Sequence, residues 1–273
     1  MIMIIVSKKY KKKLNLFFNL FEKSKIQMCE NKTSATILYN TFAILLFGQL
    51  RTGTGIWNHN QNVFKNINAT IVSSLWKSQD CECFMKSMKP TLSQWYSSRN
   101  LSNSFINSKV HGHVLEMYYT IKFGIRMLIP HHHTYIIFSR TDLHLEQFNY
   151  VDIGNNVITF GEKGYEFKEQ FCGPNPIDYF FYTTPQVAFH ISNIYDDIRN
   201  IYNDIYSHMN FLEWTKLGRK KITKNIVLNN PEGFLSMQLS RHNVSCKVVK
   251  SKFKIMKSQN SVWYKQNIKY KLC

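Results

Sequence analysis

An uninterrupted apolar run at residues 135–138 stops at a serine, which is followed by Arg140 and Asp142. Short apolar runs that contain β-branched residues are typical of strands buried on both faces, as in parallel sheets. In open α/β sheets, ligands bind in the crevice beyond the carboxyl ends of such strands. We therefore expect Arg140 and Asp142 to emerge beside a ligand.

The aspartate at the end of this strand has a histidine two residues further on. Asp142 would supply an oxygen and His144 a nitrogen to a divalent cation, and Mn²⁺ tolerates that mixture better than Mg²⁺ does. The metal would orient and neutralise a diphosphate leaving group. An Arg-x-Asp sequence at a strand end also fits a surface ion pair or a turn cap, so both interpretations stay open at this point.

A second apolar run, residues 42–47, predicts another buried strand and leads into the glycine-rich segment 48–55. Glycines directly after a strand let backbone amides approach a phosphate, and Arg51 would clamp that phosphate with two hydrogen bonds. The segment has neither the Gly-x-Gly-x-x-Gly spacing of dinucleotide-binding loops nor the Gly-Lys-Ser/Thr of a Walker loop. A tight turn with an exposed arginine is the alternative.

The rest of the chain alternates between strand and helix patterns. Apolar residues three and four apart predict a helix over 110–129, ended by Pro130, and a long helix through the isoleucines of 191–205. Asn-Pro-Glu at 230–232 opens a further helix. Strands are predicted at 69–76, 177–182 and 244–249, a hairpin at 150–160, and loops with short helices at 77–109. This alternation predicts an α/β fold with a mostly parallel central sheet flanked by helices.

The chain of 273 residues is long enough for one large domain with extensions. We assign residues 1–40 to a basic N-terminal extension, 41–250 to the domain and 251–273 to a lysine-rich tail. The sequence contains no run of 18 apolar residues that would predict a membrane span, and the first lysines follow the N-terminal apolar patch, the wrong order for a secretory signal. These features favour a cytoplasmic or peripheral membrane protein.

The formal charge of +18 is unevenly distributed. Residues 247–273 contain eight lysines and no acid. Such a balance favours anionic partners, namely nucleic acid, a membrane surface or phosphorylated small molecules, although a solvated lysine-rich surface has the same composition. Nothing in the sequence matches a recognised RNA- or DNA-binding motif.

Four short motifs follow one another between residues 42 and 250. They are Phe-Gly-Gln-Leu-Arg-Thr at 47–52, Ser-Arg-Thr-Asp-Leu at 139–143, Asp-Tyr-Phe-Phe at 178–181 and Pro-Glu-Gly-Phe-Leu at 231–235. In this order they resemble a diffuse group of glycosyltransferase-like proteins of the GT-A type, found in bacteria and large DNA viruses. The resemblance implies a single GT-A-like (Rossmann-like) domain.

The resemblance also implies a nucleotide-sugar transferase and gives individual residues their roles. The nucleotide or diphosphate would be held by Gly48, Gln49, Arg51, Thr52 and Arg140. Asp142 would stand at the place of the metal-binding Asp-x-Asp motif, with His144 in place of the second acid, and the metal would be Mn²⁺ or Mg²⁺. The chain has no Asp-x-Asp anywhere, which leaves metal dependence open.

Two further acids are implied to be catalytic. Asp178 would face the acceptor, a glycan or a protein, and Glu232 would touch the acceptor or the donor sugar. The general base of an inverting transferase is usually an acid, and both residues are candidates for it. We expect catalysis mainly through positioning of the substrates and stabilisation of the leaving group.

Two other functions compete with this one. The chain could be a non-enzymatic basic protein that binds nucleic acid or an anionic membrane, or a catalytically inactive transferase fold that serves as an interaction module. Lysines gathered on one face away from the Asp142 crevice would favour a binding protein. Convergence of Arg51, Arg140 and Asp142 in one pocket would favour the enzyme.

Overall fold

The structure is a computed structural model that describes ten parts of the chain. These are residues 42–50, 60–61, 63–64, 67, 69–77, 81–97, 110, 112–161, 177–208 and 230–255. All of them belong to the compact unit Asn40–Cys273. The predicted N-terminal extension and residues 256–273 of the tail lie outside the described residues, so the predicted division into three parts stays a prediction.

The described residues form nine strands and five helices. The strands are β1 (Phe42–Gln49), β2 (Ala69–Trp76), β3 (Leu92–Tyr96), β4 (Tyr135–Arg140), β5 (Leu143–Gln147), β6 (Val157–Phe160), β7 (Phe180–Thr183), β8 (Ser245–Val248) and β9 (Lys252–Ile255). The helices are α1 (Cys81–Met88), α2 (Gly112–Leu128), α3 (Pro185–Ser192), α4 (Ile194–His208) and α5 (Pro231–Arg241). Each of these helices is too short or too polar to cross a membrane.

Seven strands form one central sheet in the order β3-β2-β1-β4-β7-β6-β8. Strands β3, β2, β1 and β4 all run parallel to one another, and β8 runs parallel to β6. Only β7 is antiparallel to the strands beside it, which are β4 and β6. The prediction of an α/β fold with a mostly parallel central sheet is therefore confirmed.

The core lies on both faces of this sheet because its central strands β1 and β4 begin with continuous apolar runs, at residues 42–47 and 135–138. In β1, Leu45 packs into a cluster with α2 to α5, and its neighbour Ile44 packs into a second cluster with α1 and β5. In β4, Phe138 and Ile137 divide between the same two clusters. Successive side chains of a strand point to opposite faces, so this division is what a continuous apolar run requires.

The predicted hairpin at 150–160 is wrong. Only β6 is a strand in this region, and it pairs with β7 and β8, which come later in the chain. The preceding segment is irregular, and the hydroxyl of Tyr182 holds it by accepting from the Val151 amide and donating to the Val151 carbonyl, both at 3.1 Å. The predicted turn is present at residues 155–156, but the strand that follows it pairs with β7 and β8 and not with the segment before the turn.

Three further helices or strands differ from their predictions. The predicted helix through residues 191–205 is two helices, α3 and α4, separated at Asn193, although its isoleucines all remain buried. Strand β3 lies in the region predicted to be loops and short helices. The predicted last strand is β8, but β9 follows it and pairs with β5 in a two-stranded antiparallel sheet. Strands of four or five residues carry too little periodicity to be recognised.

Candidate functional site

Four segments of the chain meet at one edge of the central sheet. The carboxyl ends of β1 and β4 lie side by side, with Phe47 opposite Arg140 in the register. Since β7 runs the other way, its amino end, just after Asp178, lies at the same edge. The first turn of α5 joins them through Pro231, whose carbonyl accepts a hydrogen bond of 2.6 Å from the Tyr118 hydroxyl.

A small cleft of about 70 Å³ opens between these segments. Its lining includes Gly48, Gln49, Glu116, Arg140, Asp142 and Asp178. Pockets that enclose a whole small molecule usually measure about 300–1,000 Å³. The part of the cleft formed by the described residues is therefore suited to one charged or sugar-sized group of a larger ligand.

Arg140 and Asp142 form a two-point ion pair within the cleft. The guanidinium donates through Nε to Oδ1 at 2.9 Å and through Nη2 to Oδ2 at 2.6 Å. The Asp142 side chain is only 3% exposed, against 24% for Arg140. Burial lowers the pKa of Arg140, but its bonds to Asp142 and the charge of Asp178 outweigh that effect and raise it. The arginine is therefore fixed in place with its cationic edge toward the cleft.

Asp178 and Glu232 form a second carboxyl pair beside the arginine. Nη1 of Arg140 lies 4.0 Å from Oδ2 of Asp178. Burial raises the pKa of Asp178, although the positive charge of Arg140 opposes that rise. Burial and the charge of Asp178 together raise the pKa of Glu232 to about 8. At neutral pH Glu232 thus keeps its proton and donates it in a hydrogen bond to Asp178.

A buried tyrosine sets the position of Glu232. Tyr118 on α2 is fully buried, and its hydroxyl holds the first residue of α5, Pro231. Burial and the charges of Asp178 and Glu232 raise the pKa of this tyrosine, so it remains a neutral donor. Tyr118 lies within the helix predicted over 110–129, but its role at the site was not predicted. A buried tyrosine hydroxyl needs a partner, and that requirement was the available signal.

The carboxyl end of β1 is tied to α2 and to the residue that follows β4. Gly48 has φ +89°, a conformation that favours glycine, and its amide donates to Thr120 Oγ1 at 3.0 Å. Gln49 donates to Glu116 at 2.8 Å, and its carbonyl accepts from Thr141 at 2.7 Å. The sequence predicted the glycine and the glutamine but missed their three partners, which lie about 70 or more residues away in the chain.

The remaining predicted site residues are less informative. Arg51 and Thr52, predicted to bind the donor, lie outside the described residues. His144 is buried on β5, and by strand alternation its side chain lies on the face opposite the core residues Leu143 and Leu145. His144 is not part of the cleft lining.

Asp142, one of the two predicted metal ligands, is already bound by Arg140. Both carboxylate oxygens of Asp142 accept from Arg140, so a cation would compete with the guanidinium for them. Within the described parts of the chain, no group of three or more His, Cys, Asp and Glu side chains has a metal-binding arrangement. The involvement of Mn²⁺ or Mg²⁺ stays a prediction, and the chemistry below uses the side chains of the protein alone.

The cleft combines a fixed cation with the carboxyl group of Asp178 at the carboxyl ends of parallel strands, and the protonated Glu232 is paired with Asp178. This set can bind a phosphate, hold a hydroxyl group and accept its proton. No protein-family model matches the chain, and a search of curated proteins finds no significant match.

Proposed function

We propose that this chain is a glycosyltransferase with a single GT-A-like domain, which moves a sugar from a nucleotide-sugar donor to a hydroxyl group of a glycan or protein acceptor. The observation that carries the proposal is the meeting of the Arg140–Asp142 ion pair with Asp178 in one cleft, where Asp178 is in turn paired with Glu232. One pair suits a phosphorylated leaving group and the other suits a nucleophilic hydroxyl.

The position of the cleft in the sheet supports a nucleotide ligand. From β1 the chain continues to β2 and β3 on one side, and it later returns to β4 on the other side. The boundary between β1 and β4 is thus a topological switch point, where adjacent strands lead to connections that diverge. Ligands of open α/β sheets bind at such points, beyond the carboxyl ends of the strands.

Donor binding is assigned to the β1 side of the cleft. Gly48 and Gln49 border the space, and the segment with Arg51 and Thr52 follows them in the chain. Arg140 uses Nε and Nη2 to hold Asp142, which leaves donors on Nη1 for a phosphate oxygen. In this proposal Asp142 orients the guanidinium, and the guanidinium stabilises the negative charge that develops on the leaving nucleotide.

Acceptor activation is assigned to Asp178. Asp178 lines the cleft and accepts a hydrogen bond from Glu232, whereas Glu232 is protonated at neutral pH and is not part of the lining. As the acceptor oxygen bonds to the anomeric carbon, the bond from that carbon to the phosphate oxygen breaks and its electron pair leaves with the nucleotide. The acceptor proton passes to Asp178. A single displacement of this kind inverts the anomeric configuration.

The residues of the cleft also distinguish the proposed enzyme from the two competing functions. Convergence of Arg140 and Asp142 with Asp178 favours an enzyme over a protein that only binds anions through surface lysines. An inactive transferase fold would still bind the donor but would not need two neighbouring acids of raised pKa. The raised pKa values of Asp178 and Glu232 therefore favour a catalytically active enzyme over an inactive transferase fold.

The test combines binding with turnover. Melting temperature is measured with UDP-, GDP- and CMP-sugars, each with and without Mn²⁺, since a ligand at a hundredfold excess over its Kd stabilises the native state by about 2.7 kcal/mol. One nucleotide class is expected to raise the melting temperature. Asp178→Asn should keep that shift but lose transfer or donor hydrolysis by about 100-fold or more, because it removes the base.

Glu82→Gln, at an exposed position on α1, is the matched control and should behave as the native protein. If no nucleotide-sugar raises the melting temperature, or if Asp178→Asn turns over donor at the native rate, the proposal is wrong. Binding without turnover in the native protein would assign the chain to the inactive interaction modules.

A further inference from the structure

The segment from β8 to β9 presents lysines to solvent at nearly every second position. Lys247, Lys250, Lys252 and Lys254 are all exposed, while Val248 and Phe253 between them are half-buried. Residues 244–255 contain no acid. We name Lys247, Lys250 and Lys252 the lysine strip, since Lys254 is paired with Glu146 at 2.7 Å.

The backbone beneath the lysine strip is fixed. The amides of Val249 and Ser251 donate to the carbonyls of Phe160 and Gly161, at 3.0 and 2.8 Å. The side chain of Asn149 donates to the Lys250 carbonyl. Five residues of extended chain span at most about 18 Å, so the three ammonium groups stay near one another without further ordering of the backbone.

The lysine strip lies toward the same edge of the sheet as the cleft. Strand β8 runs parallel to β6, and β6 runs in the same direction as β4 because both are antiparallel to β7. The carboxyl end of β8 therefore points to the edge where β4 ends. Beyond it, β9 pairs with β5 so that Ile255 lies opposite Leu143, the residue after Asp142.

We propose that the lysine strip docks this protein onto an anionic membrane surface, where the ammonium groups contact lipid phosphates and carboxylates. Lysines near a membrane each contribute about 1 kcal/mol of attraction to anionic lipid, so three close together give a useful surface affinity. This inference does not rest on the proposed transferase activity.

The chemistry of the segment favours lipid over nucleic acid. Single-stranded nucleic acid is held by basic grooves with exposed aromatic faces on which bases stack. Here Phe253 packs instead against Tyr179 and Phe180, with ring centroids 5.5 and 5.8 Å apart. None of the large apolar side chains exposed in the described residues lies on β8 or β9, so the contact is electrostatic.

The test is sedimentation of the full chain with vesicles of equimolar phosphatidylcholine and phosphatidylserine, and with vesicles of phosphatidylcholine alone. The native protein should bind the mixed vesicles only, and less strongly as salt is raised. Reversal of the strip charge in the triple variant Lys247→Glu, Lys250→Glu, Lys252→Glu should weaken vesicle binding by about 100-fold or more.

The matched control reverses three exposed lysines elsewhere, Lys77→Glu, Lys86→Glu and Lys89→Glu, and so changes the net charge equally. It should retain most of the binding. A glutamine version of the strip variant, which removes charge without reversing it, serves if the glutamate version fails to fold. Circular dichroism checks the fold of every variant.

Three outcomes would overturn the inference. The native protein could fail to bind phosphatidylserine vesicles, or the strip and control variants could lose binding equally. In a gel-shift assay at the same salt, the native protein could also bind single-stranded RNA more tightly than vesicles. Edge strands use lysines to discourage pairing with other sheets, and that role would then account for these residues.

Discussion

Two carboxyl groups in contact repel each other unless one of them keeps its proton. The chain meets this condition by placing Asp178 near Arg140 and Glu232 beside Asp178, at the start of α5. The arginine stabilises the ionised form of Asp178, and the hydrogen bond from Glu232 to Asp178 stabilises the protonated form of Glu232. The two carboxyl groups thus differ in proton affinity.

This pair predicts a pH dependence of stability. The pKa of Glu232 is about 8 in the folded protein and 4.5 in the unfolded chain. Between these values the folded state binds more protons than the unfolded chain, so the free energy of unfolding falls as pH rises. The contribution that protonated Glu232 makes to stability is lost as pH rises through about 8. We expect Glu232→Gln to remove the fall that Glu232 contributes between pH 6.5 and 8. Histidines such as His190, whose pKa burial lowers to about 4, have the opposite effect on stability as pH rises, and they are the same in both proteins.

Urea unfolding at several pH values measures this effect. Glu82→Gln on the exposed face of α1 should retain the native slope of unfolding free energy against pH. If Glu232→Gln and the native protein show the same slope, Glu232 does not hold a proton in the folded state.

Among the elements, helix α2 connects the most parts of the site. It carries Tyr118, Glu116 and Thr120, and it packs against β1 and β2 at Gly124. A Cβ atom at Gly124 would lie 2.3 Å from Leu45 Cδ1 and 3.1 Å from Ser74 Cβ. The helix therefore approaches the sheet more closely than any side chain at that position would allow.

We predict that Gly124→Ala destabilises the protein. Alanine in a helix gains about 1 kcal/mol over glycine, but overpacking a core typically costs about 1–3 kcal/mol. Leu45 is fully buried and has little room to move, so the steric cost should exceed the gain in helix propensity, by up to about 2 kcal/mol. Gly112→Ala on the same helix meets nothing within 4 Å and is the control.

Chemical denaturation of both variants measures the difference. Gly112→Ala should leave the midpoint unchanged or raise it slightly. An unchanged or higher midpoint for Gly124→Ala would mean that α2 can move away from β1 at no cost.

At the scale of the whole molecule, stability should decrease from the centre of the sheet to its margins. Residues 43–47 of β1 are completely buried between β2 and β4, whereas β8 has exposed or half-exposed residues throughout. Amides of β1 should exchange with solvent only through global unfolding, and those of β8 through local opening at least about tenfold faster. Hydrogen exchange followed by mass spectrometry tests this, and equal protection of β1 and β8 would contradict it.

Much of the fold could be predicted because burial leaves a local mark on the sequence. The apolar runs of β1 and β4, the helical spacing of α2 and the Asn-Pro-Glu start of α5 were all recognised, and each is confirmed. For the site, the sequence predicted that Arg140 and Asp142 would emerge at the carboxyl end of a strand, and both line the cleft. The roles in catalysis and donor binding stay predictions.

What the sequence alone determined is the periodicity of apolar side chains, which sets element type and so the α/β class. Tertiary structure decided which strands pair, since β6 and β9 find partners far away in the chain. It also decided the chemistry of the cleft. A chain with a formal charge of +18 surrounds one arginine with several acids, and the proton on Glu232 depends on burial beside Asp178. Desolvation and charge proximity act through space, so no local spacing of residues encodes them.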